Sequence, residues 1–268
     1  MEEIKCGILQ GETLGKAFYM INAEILEGSL AEPVGLISSG IWLNEQRLGI
    51  PVSFLKLGTD FNRQLKLYVD IRLCPDNVRP IITDTKSGTL RMQQPDQTVA
   101  LEGRKQLLFI DDSGVLPALP SLLGLARSGA QIEVFRMNAS DKAASNALRN
   151  YIKRMDFSIR SIRGGGEQGI AAAIKEQTIG TRIMAFCDWR DFSRIKRIAR
   201  QSGYANEEFQ GIGIGEKEER VFCAHCYEMQ PKPNGSEMDC VRCGSPLLIS
   251  NHYSPRLEAF MGYVNVNE

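Results

Sequence analysis

Four cysteines near the end of this 268-residue chain form two Cys-x-x-Cys pairs. Cys223 pairs with Cys226, Cys240 pairs with Cys243, and thirteen residues separate the two pairs. A two-residue spacer lets both sulfurs of a pair face one ion, so two such pairs supply the four ligands of a closed tetrahedral site. Because a closed site has no open coordination position, the spacing predicts a structural metal centre. The alternative is four free or disulfide-bonded cysteines.

The spacing does not decide which ion this centre holds. Thiolates at tetrahedral geometry suit zinc, but they also suit a single redox-active iron, as in rubredoxin-like modules. The charged Arg242, between Cys240 and Cys243, fits either metal. We favour zinc and keep iron as the alternative.

Composition excludes several other functions. The chain has 32 Lys and Arg residues against 32 Asp and Glu residues, and this neutrality argues against a nucleic-acid-binding protein. No apolar run approaches the length that a bilayer requires, and the acidic start of the chain gives no sign of a signal peptide. The other cysteines, Cys6, Cys74 and Cys187, are scattered, as is typical of a reducing compartment. We therefore expect a cytoplasmic protein that binds neither membrane nor nucleic acid.

The fold class predicted from the pattern is α/β, in three parts. Residues 1–103 carry short apolar runs broken by turn residues, and the segment Leu65–Ile71 alternates with the period of a half-buried strand. An antiparallel β barrel or sandwich is expected there, with residues 76–104 forming its last strands and a connection. In residues 104–216 apolar strands alternate with helical patterns, which predicts a parallel sheet with crossovers. Residues 217–268 form a small zinc-ribbon module with four cysteine ligands.

The first two parts together resemble the ferredoxin-reductase-like flavoproteins. Two segments carry the likeness: Phe109–Pro117, a strand ending in a turn, and Phe186–Phe192, a strand leading into a late helix. The resemblance implies a barrel that carries flavin and an α/β domain that binds a nicotinamide nucleotide.

Departures from that family concern the cofactor loops. Asp111 and Asp112 stand where the family has glycines that let backbone N–H groups approach a phosphate, and Asp188 and Trp189 replace a Gly-Pro pair. The front half also lacks an Arg-x-Tyr-Ser/Thr stretch. The glycine run 164–169 follows a weak strand and is interpreted as a flexible connection. Flavin and NADPH are thus not expected on this chain, and no cofactor-binding residue is assigned.

A second resemblance extends from about residue 105 to the end and is most specific in the last third. The chain there resembles the DmmA-type subunit of bacterial dimethylamine monooxygenase. The ending is similar to the family's His-Phe-Ser-Arg-Arg-Leu-x-Ala-Tyr-x-Gly, with Tyr253, Pro255 and Phe260 as departures. The segments that carry the resemblance are Leu107–Pro117, Gly180–Phe186, Val221–Cys226, Cys240–Cys243 and Leu247–Tyr263.

This resemblance implies a multi-subunit enzyme that oxidatively demethylates dimethylamine to methylamine and formaldehyde with O2 and NADPH. Haem and reductase cofactors are expected on sister subunits, and this chain is expected to be a non-catalytic assembly subunit. Its own residues agree, because neither His225 nor His252 has an obvious nucleophile or acid nearby in sequence. Cys187, at the end of a strand, is expected to be a small buried hydrophobe. No catalytic residue is predicted.

Two alternatives belong to other functional classes. The first is an active electron-transfer subunit, with flavin or NADPH on the α/β part and a rubredoxin-like iron in the sulfur site. The second is a zinc-ribbon adaptor for nucleic acid or another protein assembly, against which the neutral charge and the few aromatic residues of the ribbon count.

Overall fold

The computed structural model of this protein describes residues 3–57, 63–84, 87–155, 157–162, 166–254 and 256–265. It divides into two compact units, Met1–Gly215 and Glu216–Glu268. The three-part division expected from the sequence stays a prediction. Within the described ranges, no helix combines the length and the apolar composition needed to cross a bilayer.

The front half of the first unit is an antiparallel β half-barrel, as predicted. Nine strands follow the order β5-β4-β8-β1-β2-β7-β6-β3-β9, and all described pairings are antiparallel. The region 76–104 also contains a short helix, α1 (Arg79–Asp84), which the sequence did not predict. The strands are β1 (Ile4–Leu14), β2 (Phe18–Glu27), β3 (Val34–Ile37), β4 (Ile41–Leu43), β5 (Gln46–Arg47), β6 (Val52–Leu57), β7 (Gln64–Asp70), β8 (Gly88–Met92) and β9 (Gln97–Val99).

The second half of this unit is a parallel five-stranded sheet in the order β12-β11-β10-β13-β14. Its parallel strands are joined by helical crossovers, as the alternating pattern predicted. The elements are β10 (Lys105–Ile110), α2 (Val115–Arg127), β11 (Gln131–Met137), α3 (Lys142–Lys153), β12 (Ser158–Ile162), α4 (Glu167–Lys175), β13 (Thr181–Asp188), α5 (Trp189–Gln201) and β14 (Phe209–Ile214).

The two faces of the parallel sheet belong to different apolar clusters. Along β10, Leu107 and Phe109 pack with residues of α4 and α5, whereas Leu108 and Ile110 pack with residues of α2 and α3. The cluster that contains Leu108 and Ile110 also includes buried residues of β2, β3, β6 and β7 of the half-barrel. The half-barrel and the parallel sheet therefore share one core, with α2 between them.

Two side-chain amides join the half-barrel to the edge of the parallel sheet. Gln97 donates to the carbonyl of Gly213 at 2.7 Å and accepts from its N–H at 3.0 Å. Gln210 makes the same pair of bonds with the backbone of Ala100, at 2.7 and 3.1 Å. Each amide thus acts as one rung of a β ladder: Gln97 pairs with the edge strand β14 at Gly213, and Gln210 of β14 pairs with the half-barrel at Ala100.

A buried tyrosine pair lies in the shared core. The hydroxyls of Tyr68 on β7 and Tyr151 on α3 are 2.8 Å apart, and their rings meet edge to face. Burial raises the pKa of both side chains, that of Tyr151 to about 12, so both hydroxyls stay protonated at neutral pH. This bond fixes α3 against the half-barrel.

The second unit is a five-stranded sheet in the order β16-β15-β19-β18-β17. Its buried apolar residues include a small cluster formed by Cys223, Cys240 and Leu247. The strands are β15 (Arg220–Cys223), β16 (Met229–Pro231), β17 (Glu237–Asp239), β18 (Pro246–Ser254) and β19 (Ala259–Val264).

Replacing Tyr68 with Phe should lower the free energy of unfolding by about 1–3 kcal/mol, because the buried Tyr151 hydroxyl then loses its partner. The Tyr68→Phe/Tyr151→Phe double variant should lose less than the sum of the two single changes, since no hydroxyl is left unpaired. Urea unfolding of the three variants measures both quantities. Strictly additive losses would show that the hydroxyl pair contributes nothing.

Candidate functional site

The four cysteine sulfurs predicted as metal ligands lie together. Their Sγ atoms are all within 4.8 Å of one another, with Cys223 to Cys243 at 3.9 Å and Cys226 to Cys240 at 3.5 Å. Four sulfurs about 2.3 Å from a tetrahedral zinc ion would be separated by roughly 3.8 Å. A disulfide would require about 2 Å, and all four cysteines are free thiols. The cluster could therefore hold a metal ion, and it contains no disulfide.

Each cysteine pair sits in a tight turn, and the two turns match. In the first, the N–H of Cys223 donates to the carbonyl of Glu228 and the N–H of Tyr227 donates to that of Cys223, both at 2.9 Å. The corresponding bonds of the second turn join Cys240 with Ser245, and Gly244 with Cys240, also at 2.9 Å. Every donor and acceptor is shifted by the same 17 positions. We call these turns knuckle 1 (residues 223–228) and knuckle 2 (residues 240–245).

The thiols of the cluster differ in how readily they ionise. Hydrogen bonds from the side chain and backbone of Ser245, followed by one from His225, lower the pKa of Cys243 to about 5. Desolvation, followed by the neighbouring thiols, raises the pKa of Cys226 to about 12. Thiolates this close repel one another, and a bound cation would remove that repulsion. Four sulfurs fill a tetrahedral ion's coordination positions, so such a centre would be structural.

The remaining residues considered from the sequence form no second reactive constellation in the described structure, although His225 adjoins the cysteine cluster through its hydrogen bond to Cys243. His225 is exposed in knuckle 1, and His252 is exposed on β18. Cys187 is fully buried among apolar side chains, as expected, and burial raises its pKa. Pro255 and the glycines at 164 and 165 lie outside the described residues, whereas Gly166 is the N-cap of α4.

Ligands of open α/β sheets bind at the carboxyl ends of the strands, and here Asp111 fills that position after β10. One of its oxygens accepts from the hydroxyl of Ser113 at 2.7 Å and from the N–H of Gly114, at the start of α2, at 2.8 Å. The other accepts from the N–H of Asp188, at the end of β13, at 2.9 Å. A Cβ on Gly114 would lie 1.7 Å from the carbonyl oxygen of Phe186, so only glycine fits there.

Asp112 faces the neighbouring loop. It accepts from the N–H groups of Ser140 and Asp141 at 2.7 and 2.8 Å, and it pairs with the buried Arg136 of β11. Burial opposes ionisation, but these hydrogen bonds lower the pKa of Asp112 below its usual range. Asp141 caps α3 and pairs with Arg72, at the end of the half-barrel's β7. The loop is thus tied to both sheets.

A third set of carboxylates closes the start of α5. Asp188 accepts from the N–H of Asp191 at 2.8 Å. Asp191 accepts from the side chain of Asn138 at 2.8 Å and pairs with Arg194. Oxygens of Asp111, Asp188 and Asp191 lie within 4.8 Å of one another, but amide and guanidinium donors already serve Asp111 and Asp191.

These contacts refine the interpretation of the two loops. From the sequence, Asp111 and Asp112 replace glycines of a phosphate-binding loop, and two carboxylates at that place would repel a pyrophosphate. In the structure they also accept the loop N–H groups that would otherwise be free to bind an anion. This second effect could not be read from the residue types, because it depends on which way each carboxylate points.

Replacing Asp111 with Ala should lower the free energy of unfolding by about 2–3 kcal/mol, since two backbone N–H groups lose their acceptor. Asp76→Ala is the matched control, because the Asp76 side chain is fully exposed and should change stability by less than about 0.5 kcal/mol. Urea unfolding followed by tryptophan fluorescence measures both. Equal stability of Asp111→Ala and the control would contradict the described role of Asp111.

Comparison with known proteins bears first on the C-terminal unit. The family model "Dimethylamine monooxygenase subunit DmmA-like, C-terminal domain" matches residues 220–263. The "Heme-dependent oxidative N-demethylase delta subunit" of Ectopseudomonas mendocina (strain ymp) is 28% identical over 93 residues, which cover 35% of this chain and 53% of that protein. The match thus spans about half the length of this curated relative.

Solved structures bear on the fold. The "Ferredoxin reductase in carbazole 1,9a-dioxygenase" is similar with a TM-score of 0.55 and 11% identity, over 79% of this chain and 69% of that one. Its "FAD apo form" gives a TM-score of 0.52 and 12% identity, over 79% and 67%. At such identities the likeness shows a ferredoxin-reductase-like fold. Both resemblances predicted from the sequence are confirmed: the fold is reductase-like, and residues 220–263 are similar to the C-terminal domain of the DmmA-type subunit.

Proposed function

We propose that this chain is a zinc-bearing, non-catalytic assembly subunit of a haem-dependent oxidative N-demethylase. The complex would convert dimethylamine to methylamine and formaldehyde with O2 and NADPH. The haem would lie on a catalytic sister subunit and the electron-donating cofactor on a reductase sister subunit. The match of residues 220–263 to the DmmA-like C-terminal domain, which contains all four clustered cysteines, carries the proposal.

Zinc is the ion that we assign to the cysteine cluster. The four-sulfur donor set suits zinc, and the observed separations of 3.5 and 3.9 Å bracket the roughly 3.8 Å of a tetrahedral zinc–thiolate site. Cys223, Cys226, Cys240 and Cys243 would hold the ion. When bound, the zinc would fix the two knuckles and add no open coordination position.

A non-catalytic role agrees with the carboxyl edge of the parallel sheet. The N–H groups of Gly114, Ser140 and Asp141 donate to the chain's own carboxylates. A nucleotide phosphate would have to displace these buried or half-buried acceptors and then lie beside their charges. We therefore assign the first unit the role of a scaffold that has kept the reductase-like fold.

The reductase-like fold also favours a second candidate, an electron-transfer subunit. In that case iron would take the cysteine site and flavin or NADPH would bind the first unit. This candidate and the first differ in colour, because zinc–thiolate centres do not absorb visible light.

The purified chain should contain about one zinc per molecule, no iron and no flavin, and it should be colourless. Elemental analysis together with a visible absorption spectrum measures this. Stoichiometric iron, or a flavin spectrum, would contradict the scaffold proposal and support the electron-transfer candidate.

Replacing Cys240 with Ser should release the zinc, unfold the C-terminal unit and weaken binding to the sister subunits. The physical reason is that metal binding supplies much of the folding free energy of so small a unit. Metal content, proteolysis between residues 216 and 268, and co-purification of the complex are the three measurements.

Cys74→Ser is the matched control. Cys74 is buried outside the cluster, and its sulfur donates to the carbonyl of Asp70 at 3.5 Å, a bond that a serine hydroxyl can make. The control should keep its zinc and its partners. If Cys240→Ser also kept both, the structural role of the metal would be wrong.

A further inference from the structure

The two knuckles differ in one backbone hydrogen bond. In each, the residue after the first cysteine points its N–H out of the turn. In knuckle 1 this residue is Ala224, and its N–H donates to the backbone carbonyl of Gly262 on β19 at 2.9 Å. In knuckle 2 it is Val241, and its N–H donates to the side-chain oxygen of Gln230 at 2.8 Å. A side-chain amide thus takes the place of a strand carbonyl.

Gln230 is buried far more deeply than a glutamine usually is. It lies on β16, just after knuckle 1, and only 2% of its surface is exposed. Its amide nitrogen donates to the sulfur of Met238 on β17 at 3.4 Å, just before knuckle 2. Both ends of the amide therefore contact the hairpin that carries Cys240 and Cys243, while its backbone belongs to the hairpin that carries Cys223 and Cys226.

Among the described residues, no β-ladder pairing joins these two hairpins directly. β16 and β17 lie at opposite edges of the sheet order β16-β15-β19-β18-β17, so knuckle 2 has no described ladder contact with knuckle 1. Besides Gln230, the exposed Arg242 side chain of knuckle 2 reaches knuckle 1, where it donates to the carbonyl of Cys226 at 3.4 Å and pairs with Glu228 at 3.5 Å. Four sulfurs make one site only if the two turns keep a fixed relative orientation. Groups behind the ligands commonly provide such orientation in metal sites.

We propose that Gln230 is a buried positioning residue that holds knuckle 2 in register with knuckle 1, so that the four sulfurs meet at one ion. The proposal rests on the metal site proposed above. Gln230 itself contributes no ligand atom; its amide oxygen fixes the backbone of Val241, between the two ligands of knuckle 2.

Gln230→Met tests this role, because Met has nearly the same length and volume but lacks the amide. Zinc affinity, measured on the full chain by competition with a chromophoric chelator, should fall about ten- to one-hundred-fold, the usual effect of losing a group that orients metal ligands. Met238→Leu is the matched control. It removes the partner of the amide nitrogen and leaves the bond to Val241, so its affinity should stay within about threefold of wild type.

A second measurement separates positioning from a general loss of structure. The zinc-loaded proteins are treated with an alkylating reagent, and the modified cysteines are identified by mass spectrometry. In Gln230→Met, Cys240 and Cys243 should react several-fold faster than in wild type, whereas Cys223 and Cys226 should keep rates close to wild type. Uniformly faster reaction of all four cysteines would mean that Gln230 only supports the fold, and the proposal would be wrong.

The outcomes also separate this proposal from the one it rests on. If wild type binds zinc and Gln230→Met binds it equally well, the positioning role is overturned and the metal site stands. If wild type binds no zinc, both are overturned. Failure of Gln230→Met to load while Met238→Leu loads normally would support the role of the amide oxygen.

Discussion

The fold of the C-terminal unit depends on the contact among four cysteine sulfurs. Among the described residues, the apolar cluster around the sulfurs has Cys223, Cys240 and Leu247 as its buried members, and the other two cysteines pack against it. The unit buries few further apolar side chains, namely Val221, Ile249 and Ala259. A unit of about fifty residues is near the lower size limit for a stable apolar interior, and a structural zinc contributes on the order of 10 kcal/mol. The strands around the knuckles would then act as a frame for the proposed ion.

The two knuckles require backbone conformations that most residues adopt only with strain. Both knuckles contain a residue in the left-handed region next to their last position: Gly244 at a φ of 68° and Tyr227 at a φ of 65°. Glycine adopts this conformation freely, whereas a tyrosine there is strained by about 1 kcal/mol. The strain in knuckle 1 is tolerated because the N–H of Tyr227 closes the turn onto Cys223, and because its ring packs against Phe222 at 5.9 Å.

In the first unit the corresponding constraint is the satisfaction of polar groups at the carboxyl edge of the parallel sheet. Helix starts and βα loops present N–H groups that require acceptors. In a ligand-binding sheet an anion can serve them; here Asp111 serves α2, Asp112 serves the loop before α3, and Asp141 and Asp188 cap α3 and α5. The acceptors are covalently part of the chain, so they are always present beside the donors. A phosphate would have to compete with these carboxylates for the same backbone N–H groups. Binding a phosphate would therefore remove hydrogen bonds that stabilise the fold.

Much of this organisation could be predicted from local patterns in the sequence. The spacing of the four cysteines was enough to predict that their sulfurs lie together. The period-two alternation predicted the bounds of strand β7 to within one residue. Helix α1 was missed because its six residues are too few to show a period. The sequence predicted a strand leading into a late helix within Phe186–Phe192, but residue types alone do not show that Asp188 is the cap and Trp189 the first helical residue of α5.

Contacts between single residues that are far apart in sequence could not be predicted. Such contacts shape both the cysteine cluster and the carboxyl edge of the parallel sheet. Gln230 lies in a three-residue strand beside two prolines and a lysine, a context typical of an exposed loop, yet it is almost fully buried. Tyr68 and Tyr151 are 83 positions apart, and neither has a local signal for the other. Residue type gave the charge of Asp111 and Asp112, but only the fold decides whether such a charge faces a ligand or the chain's own amides.

The direction of these carboxylates bears on the choice between scaffold and electron carrier. Repulsion alone weakens with salt and distance, so a loop that only repels an anion could still admit one. An occupied loop is different, because a ligand must first displace the acceptor that each N–H group already has and then supply equal hydrogen bonds. Asp111 joins the ends of β10 and β13, and Asp112 joins β11 to the loop before α3; displacing either would loosen the edge that has to hold the ligand. A nucleotide cofactor bound at this edge would therefore weaken its own binding site. In a scaffold without a cofactor, the same contacts make the edge more rigid.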